Sequence, residues 1–193
     1  MLTLSNRNQL FIGVALATLM IATRGHHFAT LQHLPSASWA VFFLAGLYLR
    51  PARVFVALLA LAGFLDYAAI TWGGVSSFCV SPAYALLLPA YGVLWLAGRW
   101  YAKRYRFEWR TLLPLSMAVL TGATMCEMLS SGGFYFFSGR FVDTNIAEFG
   151  ARLVKYFPGM LQSMLFYVAI VAVTHALFVL ARNAAAKRNT MMS

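Results

Sequence analysis

Residues 53–72 read RVFVALLALAGFLDYAAITW and decide the fold class that the sequence predicts. Beyond Arg53, the only charged residue of this run is Asp66. Its length matches the roughly 20 residues with which an α-helix crosses the hydrocarbon core of a bilayer. The run lacks the alternation of polar and apolar residues that is typical of membrane strands. It therefore predicts a transmembrane helix that carries one carboxylate.

Further apolar segments lie on both sides of this run, and the whole chain has the composition of a membrane protein. Of its 193 residues, 61% are hydrophobic and 10% are charged, whereas soluble domains carry about 25% charged residues. We predict an all-α integral membrane protein with six transmembrane helices in one domain, residues 1–193. The first two predicted segments are short, and the second is expected to tilt little or to be broken near its outer end. The segments run from Asn8 to Thr23, Leu34 to Leu49, Arg53 to Trp72, Pro82 to Gly98, Thr111 to Ser131, and Phe157 to Ala181.

The basic residues predict the orientation of these segments. Cytoplasmic loops of membrane proteins are enriched in lysine and arginine. With the N-terminus inside, the short clusters between apolar runs fall on the cytoplasmic side, so both termini are expected to be cytoplasmic. This clustering explains the net charge of +10 and argues against a nucleic-acid partner. The residues placed inside are 11 of the 15 basic ones: Arg7, Arg50, Arg53, Arg99, Lys103, Arg104, Arg106, Arg110, Arg182, Lys187 and Arg188.

One alternative concerns the first segment. Arg7 precedes a short apolar run, as in a cleaved signal peptide, and cleavage would leave five spans. The run is not followed by a clear small-residue cleavage site and a polar mature start. We therefore favour a first spanning helix.

Asp66 is the first candidate site residue. It lies thirteen residues beyond Arg53, hence roughly 20 Å along the helix and in the outer half of the membrane. A carboxylate at that depth is costly unless it is paired or faces a wet cavity, and it marks a functional site by default. The alternative is a hydrogen bond that packs helices, with Arg24 or a histidine as its partner.

Cys79 is the second candidate. It precedes Ser81-Pro82, which have the residue types of an N-cap and a first helical position. A helix N-terminus stabilises anions, so this thiol is expected to be partly thiolate and reactive. Thiolates are soft ligands for transition metals. Two alternatives are an inert buried cysteine and a disulfide with Cys126, which we place near the outer end of helix five.

Two histidines and two tyrosines are expected at the same depth. His26 and His27 follow helix one, and imidazoles bind metals or titrate near neutral pH. Because they are adjacent, at most one is expected to face a site; otherwise both are solvated. Tyr67 and Tyr84 could equally belong to the aromatic belt at the membrane surface.

Other polar or aromatic positions are assigned more ordinary roles. Glu127 is expected at the outer rim. Residues 132–140 form a predicted aromatic, glycine-flanked outer loop that rests on the membrane or covers a ligand as a lid. His175 falls in the inner half and is excluded from the outer site.

Cys79 before Ser81-Pro82, Asp66-Tyr67 upstream and His26-His27 after helix one make the chain resemble the BtuM family. These small bacterial membrane proteins are predicted to take up cobalamin, vitamin B12, and are similar to the S-components of energy-coupling factor (ECF) transporters. The resemblance covers nearly the whole chain. It implies an ECF S-component-like fold, the bacterial inner membrane, and an outward-facing pocket.

The resemblance also implies the roles of the site residues. Cys79 would ligate the cobalt of cobalamin and could displace cyanide from cyanocobalamin. Of the two histidines, His27 is favoured to face the pocket. The expected cobalamin-binding residues are His26, His27, Asp66, Tyr67, Cys79 and Tyr84.

Two further expectations concern partners and an alternative function. S-components that use a shared ECF energising module dock through small residues on helix one, a pattern that Gly13, Ala17 and Ala22 fit loosely; the chain has no Walker motif. The alternative function is a membrane thiol-disulfide oxidoreductase that uses Cys79 and Cys126. That chemistry usually needs a CxxC pair, which the chain lacks.

Overall fold

The computed structural model describes residues 4–24 and 34–191, and of Cys79, Thr190 and Met191 it describes the backbone alone. Within these ranges the chain is helical and contains no strand, as the sequence predicts. Short 3-10 turns cover Ser77–Cys79, Pro82–Leu86 and Trp109–Thr111. The α-helices are α1 (Asn6–Arg24), α2 (Ser38–Tyr48), α3 (Ala52–Thr71), α4 (Leu87–Arg104), α5 (Leu112–Glu127), α6 (Gly133–Phe137) and α7 (Ile146–Met191).

Three helices in the described ranges are long and apolar enough to cross a membrane. They cover Ala52–Thr71, Trp109–Phe137 and Ile146–Asn189. The first is the helix predicted from residues 53–72. In its most apolar window only 17% of the residues are buried in the protein, so most of its apolar side chains face outwards. Helices that are apolar on their outer surfaces fit a membrane protein.

The second predicted segment forms a short, central helix. α2 has 11 residues, nine of them buried, and is about 16 Å long, so the helix alone is shorter than a hydrocarbon core of about 30 Å. Residues 34–37, the first four of the predicted segment, are not helical. Side chains bind this backbone instead: the Tyr167 hydroxyl donates to the Pro35 carbonyl at 2.7 Å, and the Ala37 amide donates to Thr23 Oγ1 at 3.1 Å.

The core of the protein lies where α2 crosses α4. A methyl group added at Gly46 would collide with the carbonyl oxygen of Trp95, and one added at Gly98 would collide with that of Phe43. Small residues at such a crossing let two helix backbones come into contact. The crossing therefore fixes α4, whose two ends border the two cavities described below.

The helix after residue 111 continues further than predicted. The segment expected to end at Ser131 passes from α5 through a π-helical stretch, Met128–Gly132, into α6. The prediction of a loop from residue 132 is therefore wrong at its start, because α6 continues the helix to Phe137. α7 also extends beyond its predicted segment, with 46 residues and Pro158 in its interior.

The start of helix four also differs from the prediction. Ser81 has the extended backbone of an N-cap, and Pro82 follows as the first helical residue, but the segment is a 3-10 helix and α4 begins at Leu87. Ser81 makes no capping hydrogen bond. Tyr84 therefore lies in the 3-10 turn before α4 and not in the first turn of the α-helix predicted from Pro82 to Gly98.

Candidate functional site

Asp66 forms a two-pronged ion pair with Arg24. Arg24 is the last residue of α1 and Asp66 lies near the C-terminal end of α3. Arg24 Nε and Nη2 donate to Asp66 Oδ1 and Oδ2, each at 2.7 Å. The two side chains are 12% and 28% exposed. Such paired, charge-assisted bonds are among the strongest hydrogen bonds in proteins, and this is the helix-packing contact that the sequence left open.

Two tyrosines and a serine extend this ion pair into a network. The Tyr84 hydroxyl donates to Asp66 Oδ2 at 2.7 Å. Arg24 Nη1 donates to Tyr91 Oη at 2.9 Å and to Ser38 Oγ at 2.8 Å. The network joins α1, α2 and α3 to the 3-10 turn and α4. Since every member has a partner, it holds these helix ends in one arrangement.

The network forms one wall of a cavity of about 400 Å³, which we call the Asp66 cavity. The opposite wall comes from the end of α5, the π-helical stretch, α6 and the start of α7. The lining combines charged, hydroxyl and aromatic groups. Its residues are Arg24, Asp66, Ala83, Tyr84, Leu87, Tyr91, Glu127, Ser130, Ser131, Phe134, Tyr135, Phe141, Phe149, Arg152, Leu153 and Tyr156.

Aromatic rings and one ion pair order the wall opposite the network. The Tyr135 hydroxyl donates to Glu148 Oε2 at 2.9 Å, and its ring stacks on Phe149 at 5.8 Å between centroids. Arg152 donates to Glu148 Oε1 at 3.2 Å and lies 4.5 Å from the centre of the Phe141 ring. These contacts draw α6 and the following turn against α7. Phe134 and Tyr135 of the aromatic stretch thus line the cavity, whereas Phe137 is exposed.

The predicted site residues have different positions relative to this cavity. Asp66 and Tyr84 line it together. Tyr67 is 61% exposed, packs edge-on against Trp72 at 6.2 Å, and is not among the lining residues. The backbone of Cys79 ends the 3-10 turn Ser77–Cys79, two residues before Ser81. His26 and His27 lie outside the described residues.

The sequence did not single out several residues that line the Asp66 cavity. Tyr91 lies seven residues after Tyr84, a helical spacing that places both on one face, so periodicity could have indicated it. Arg24 was named only as a packing partner. Arg152 stands four residues after Glu148, the spacing of a helical ion pair. Glu127, expected at the rim, is 4% exposed and belongs to the wall.

A second cavity, of about 260 Å³, lies at the other end of α4; we call it the His175 cavity. His175 Nδ1 lies 3.3 Å from Tyr48 Oη, and His175 Nε2 lies 2.8 Å from Tyr105 Oη. The rest of the lining is mainly apolar, with Arg106 and Glu108 also bordering it. The expectation that His175 lies apart from the candidate site agrees with this position.

The metal and thiol predictions involve residues that the structure describes only in part. Among the described side chains, no group of three or more His, Cys, Asp and Glu residues is placed to hold a metal ion. Cys126 is a free, buried cysteine. No protein-family model matches the chain, and no curated protein matches its sequence. Function is therefore argued from the site itself.

Proposed function

We propose that this protein binds cobalamin at the outer face of the bacterial inner membrane and serves in its uptake. In this proposal the chain crosses the membrane six times, with both termini in the cytoplasm and the Asp66 cavity facing outwards. The observation that carries the proposal is this cavity, in which a fully paired polar network faces an aromatic wall. Cys79 lies five residues before Tyr84, which is a member of the polar network and lines the cavity.

The chemistry of the cavity suits a large amphipathic ligand. Small-molecule sites are mostly apolar cavities of about 300–1,000 Å³ with a few placed polar groups. The Asp66 cavity, at about 400 Å³, is at the lower end of that range. A corrinoid is larger, so binding requires the cavity to widen. We expect the wall with α6 to move, since the Tyr135 hydroxyl binds α7 through Glu148, whose side chain is 44% exposed, and an exposed hydrogen bond of this kind contributes only modestly to stability.

Cys79 would supply the cobalt ligand. Its thiolate sulfur would bond to Co(III) as the cyanide of cyanocobalamin leaves, and the cobalt would keep its oxidation state. The thiol proton would leave with cyanide as HCN. This is a ligand exchange that balances without an oxidant or a reductant.

The proposed transport partner is a shared ECF energising module that docks on α1. Gly13 and Ala17 line a groove between α1 and α3, and the nearest side-chain atom to a methyl group at Gly13 would be Leu49 Cδ1, at 3.8 Å. Ala22 is half-buried further along α1. Leu10, Phe11 and Val14 of the same helix are exposed, so α1 offers apolar surface beside its small residues.

The decisive experiment is an absorption spectrum of the purified protein with cyanocobalamin. We expect the parent protein to bind it and to shift the cobalt-dependent bands, and Cys79→Ala to abolish that shift. Cys126→Ala is the matched control, because it removes the other thiol of the chain, and its spectrum should follow the parent. A well-folded parent that binds no cyanocobalamin would overturn the proposal. A Cys79→Ala protein with the parent's shift would overturn the cobalt–thiolate bond.

The thiol-disulfide oxidoreductase remains the alternative prediction. Exchange with an external partner needs an accessible sulfur, whereas Cys126 is 0% exposed. This burial gives us no reason to prefer redox chemistry. Both thiols staying free under oxidising conditions would count against it.

A further inference from the structure

Glu127 is a buried acid in the wall of the Asp66 cavity. It is the last residue of α5, is 4% exposed, and lines the cavity together with Ser130 and Ser131. Burying a carboxyl group is costly unless hydrogen bonds or an opposite charge compensate it. The contacts of Glu127 therefore indicate whether it serves the fold or a ligand.

The other charges at the cavity are already paired. Arg24 is bound by Asp66, and Arg152 is bound by Glu148. In the described part of the chain, no lysine or arginine lies within ion-pairing distance of Glu127. The wall thus carries one carboxyl group without a cationic partner among these residues.

The hydrogen-bonding capacity of Glu127 is also only partly used. Ser131 lies beside its carboxyl group and also lines the cavity. The neighbouring Ser130 hydroxyl donates to the carbonyl oxygen of Cys126 at 2.8 Å, so its proton is not available to Glu127. A carboxylate has about four acceptor positions. Most of the acceptor capacity of Glu127 therefore remains for a group in the cavity.

The backbone next to Glu127 is itself unusual. The π-helical stretch Met128–Gly132 begins at the following residue. Such stretches are rare inside helices and are frequent at functional sites. A methyl group at Gly132 would approach the ring of Phe149 to 3.2 Å, so this stretch packs closely on α7. The π stretch thus fixes the end of α5 against the opposite helix while Glu127 lines the cavity.

We propose that Glu127 recognises an N–H donor group of the ligand and that the Asp66 cavity selects against a carboxylate at that position. The proposal rests on the proposed function. For cobalamin, the donor would be one of the primary amides at the edge of the corrin ring. A carboxylate in its place would offer no donor and would repel Glu127, as expected where buried polar groups are left unpaired.

The proposal is tested with two kinds of probe and two variants. Purified parent, Glu127→Gln and Glu108→Gln are titrated with cyanocobalamin and with each of its monocarboxylates, in which one peripheral amide is hydrolysed. Glu108 is the matched control, because it is an exposed acid that borders the His175 cavity. Thermal unfolding of each ligand-free protein is measured in parallel.

We expect the parent to bind cyanocobalamin at least about tenfold more tightly than one of the monocarboxylates, a difference of about 1.4 kcal/mol. Glu127→Gln should reduce that ratio to about two or less and weaken cyanocobalamin binding, while Glu108→Gln keeps both. The melting temperature of ligand-free Glu127→Gln should not fall, because this variant removes a poorly compensated buried acid.

Three results would overturn the inference. The first is a Glu127→Gln protein with the parent's affinities for all probes. The second is a lower melting temperature with unchanged discrimination, which would mark Glu127 as a purely structural residue. The third is a parent that binds none of the probes, which would overturn the proposed function and this inference with it, whereas loss of binding in the variant alone concerns Glu127.

If Glu127→Gln does not fold, Glu127→Asp replaces it. Unchanged affinity ratios in that variant would count as the first result.

Discussion

The two ends of α4 carry two different kinds of polar cluster. Tyr84 lies just before α4, in the Asp66 cavity, and Tyr105 directly follows its last residue, in the His175 cavity. The helix has 18 residues and so separates them by about 27 Å. At the first end the tyrosine binds an ion pair, whereas at the second it contacts an imidazole.

The difference in charge indicates different roles. Asp66 and Arg24 are costly to bury, and replacing such pairs by apolar residues often stabilises a protein, so their presence points to a task beyond packing. The His175 cluster contains uncharged tyrosines: burial raises the pKa of the Tyr105 hydroxyl above its ordinary value, which keeps it protonated. That cluster joins α2, α4 and α7 by hydrogen bonds. We interpret the Asp66 end as the binding end and the His175 end as a structural clamp.

The largest expected effect comes from breaking the ion pair. Arg24→Ala leaves Asp66 without its cation and removes the donor to Tyr91 and Ser38. Removing one partner of a buried pair costs about 3–5 kcal/mol of the free energy of unfolding. We expect a clear fall in melting temperature in detergent and loss of cyanocobalamin binding.

Two further variants test the reason for this effect. The double variant Arg24→Met, Asp66→Leu removes both charges and should regain most of the stability while still failing to bind, because an apolar pair can replace a buried ion pair. Arg152→Ala breaks a more exposed pair with Glu148 and should change the unfolding free energy by about 1 kcal/mol or less. A double variant as unstable as Arg24→Ala would contradict the argument.

A smaller effect is expected from the helix crossing between the two cavities. Gly98→Ala would push the backbone of α4 from that of α2 at Phe43, and overpacking of this kind costs about 1–3 kcal/mol. Gly63→Ala in α3 is the control, because a methyl group there meets no atom within 4 Å, and it should leave stability unchanged or slightly raised. Gly98→Ala should change both the melting temperature and the affinity for cyanocobalamin, since α4 borders both cavities. Equal melting temperatures for the two variants would show that the crossing tolerates a wider spacing.

The sequence predicted the long apolar helices better than the walls of the cavity. α3 and Asp66 could be identified because a long apolar run and one charge are visible without knowledge of packing. The rotation of α3 about its axis could not be identified from the sequence. Successive residues of a helix point about 100° apart, and only packing decides that Asp66 faces the cavity while Tyr67 faces outwards. Tyr84 could be placed at this depth from the sequence, but its position in the pocket was implied only by the resemblance to the BtuM family.

Two other features depend on contacts between distant segments. α2 begins only at Ser38, and the non-helical backbone before it is bound by the side chains of Tyr167 and Thr23. Apolar content alone does not reveal such contacts. The position of Glu127 depends on packing of its helix against α7. Sequence patterns place a residue at a depth, whereas the cavity depends on which helices meet there.

The smallest predicted effect compares the two tyrosines directly. Tyr84→Phe removes a hydrogen bond to the carboxylate of Asp66, and Tyr105→Phe removes a contact of 2.8 Å with the imidazole of His175. Both side chains are half-buried, so the ring is kept and only one hydroxyl is lost in each. Hydrogen bonds to charged groups contribute about 1.5–3 kcal/mol and neutral ones about 0.5–1.5 kcal/mol. We expect Tyr84→Phe to lower the free energy of unfolding by about 1 kcal/mol more than Tyr105→Phe, and only Tyr84→Phe to weaken cyanocobalamin binding. Equal losses of stability, with binding weakened in both variants, would mean that the two ends of α4 act as one coupled unit, and the division into a binding end and a structural end would have to be abandoned.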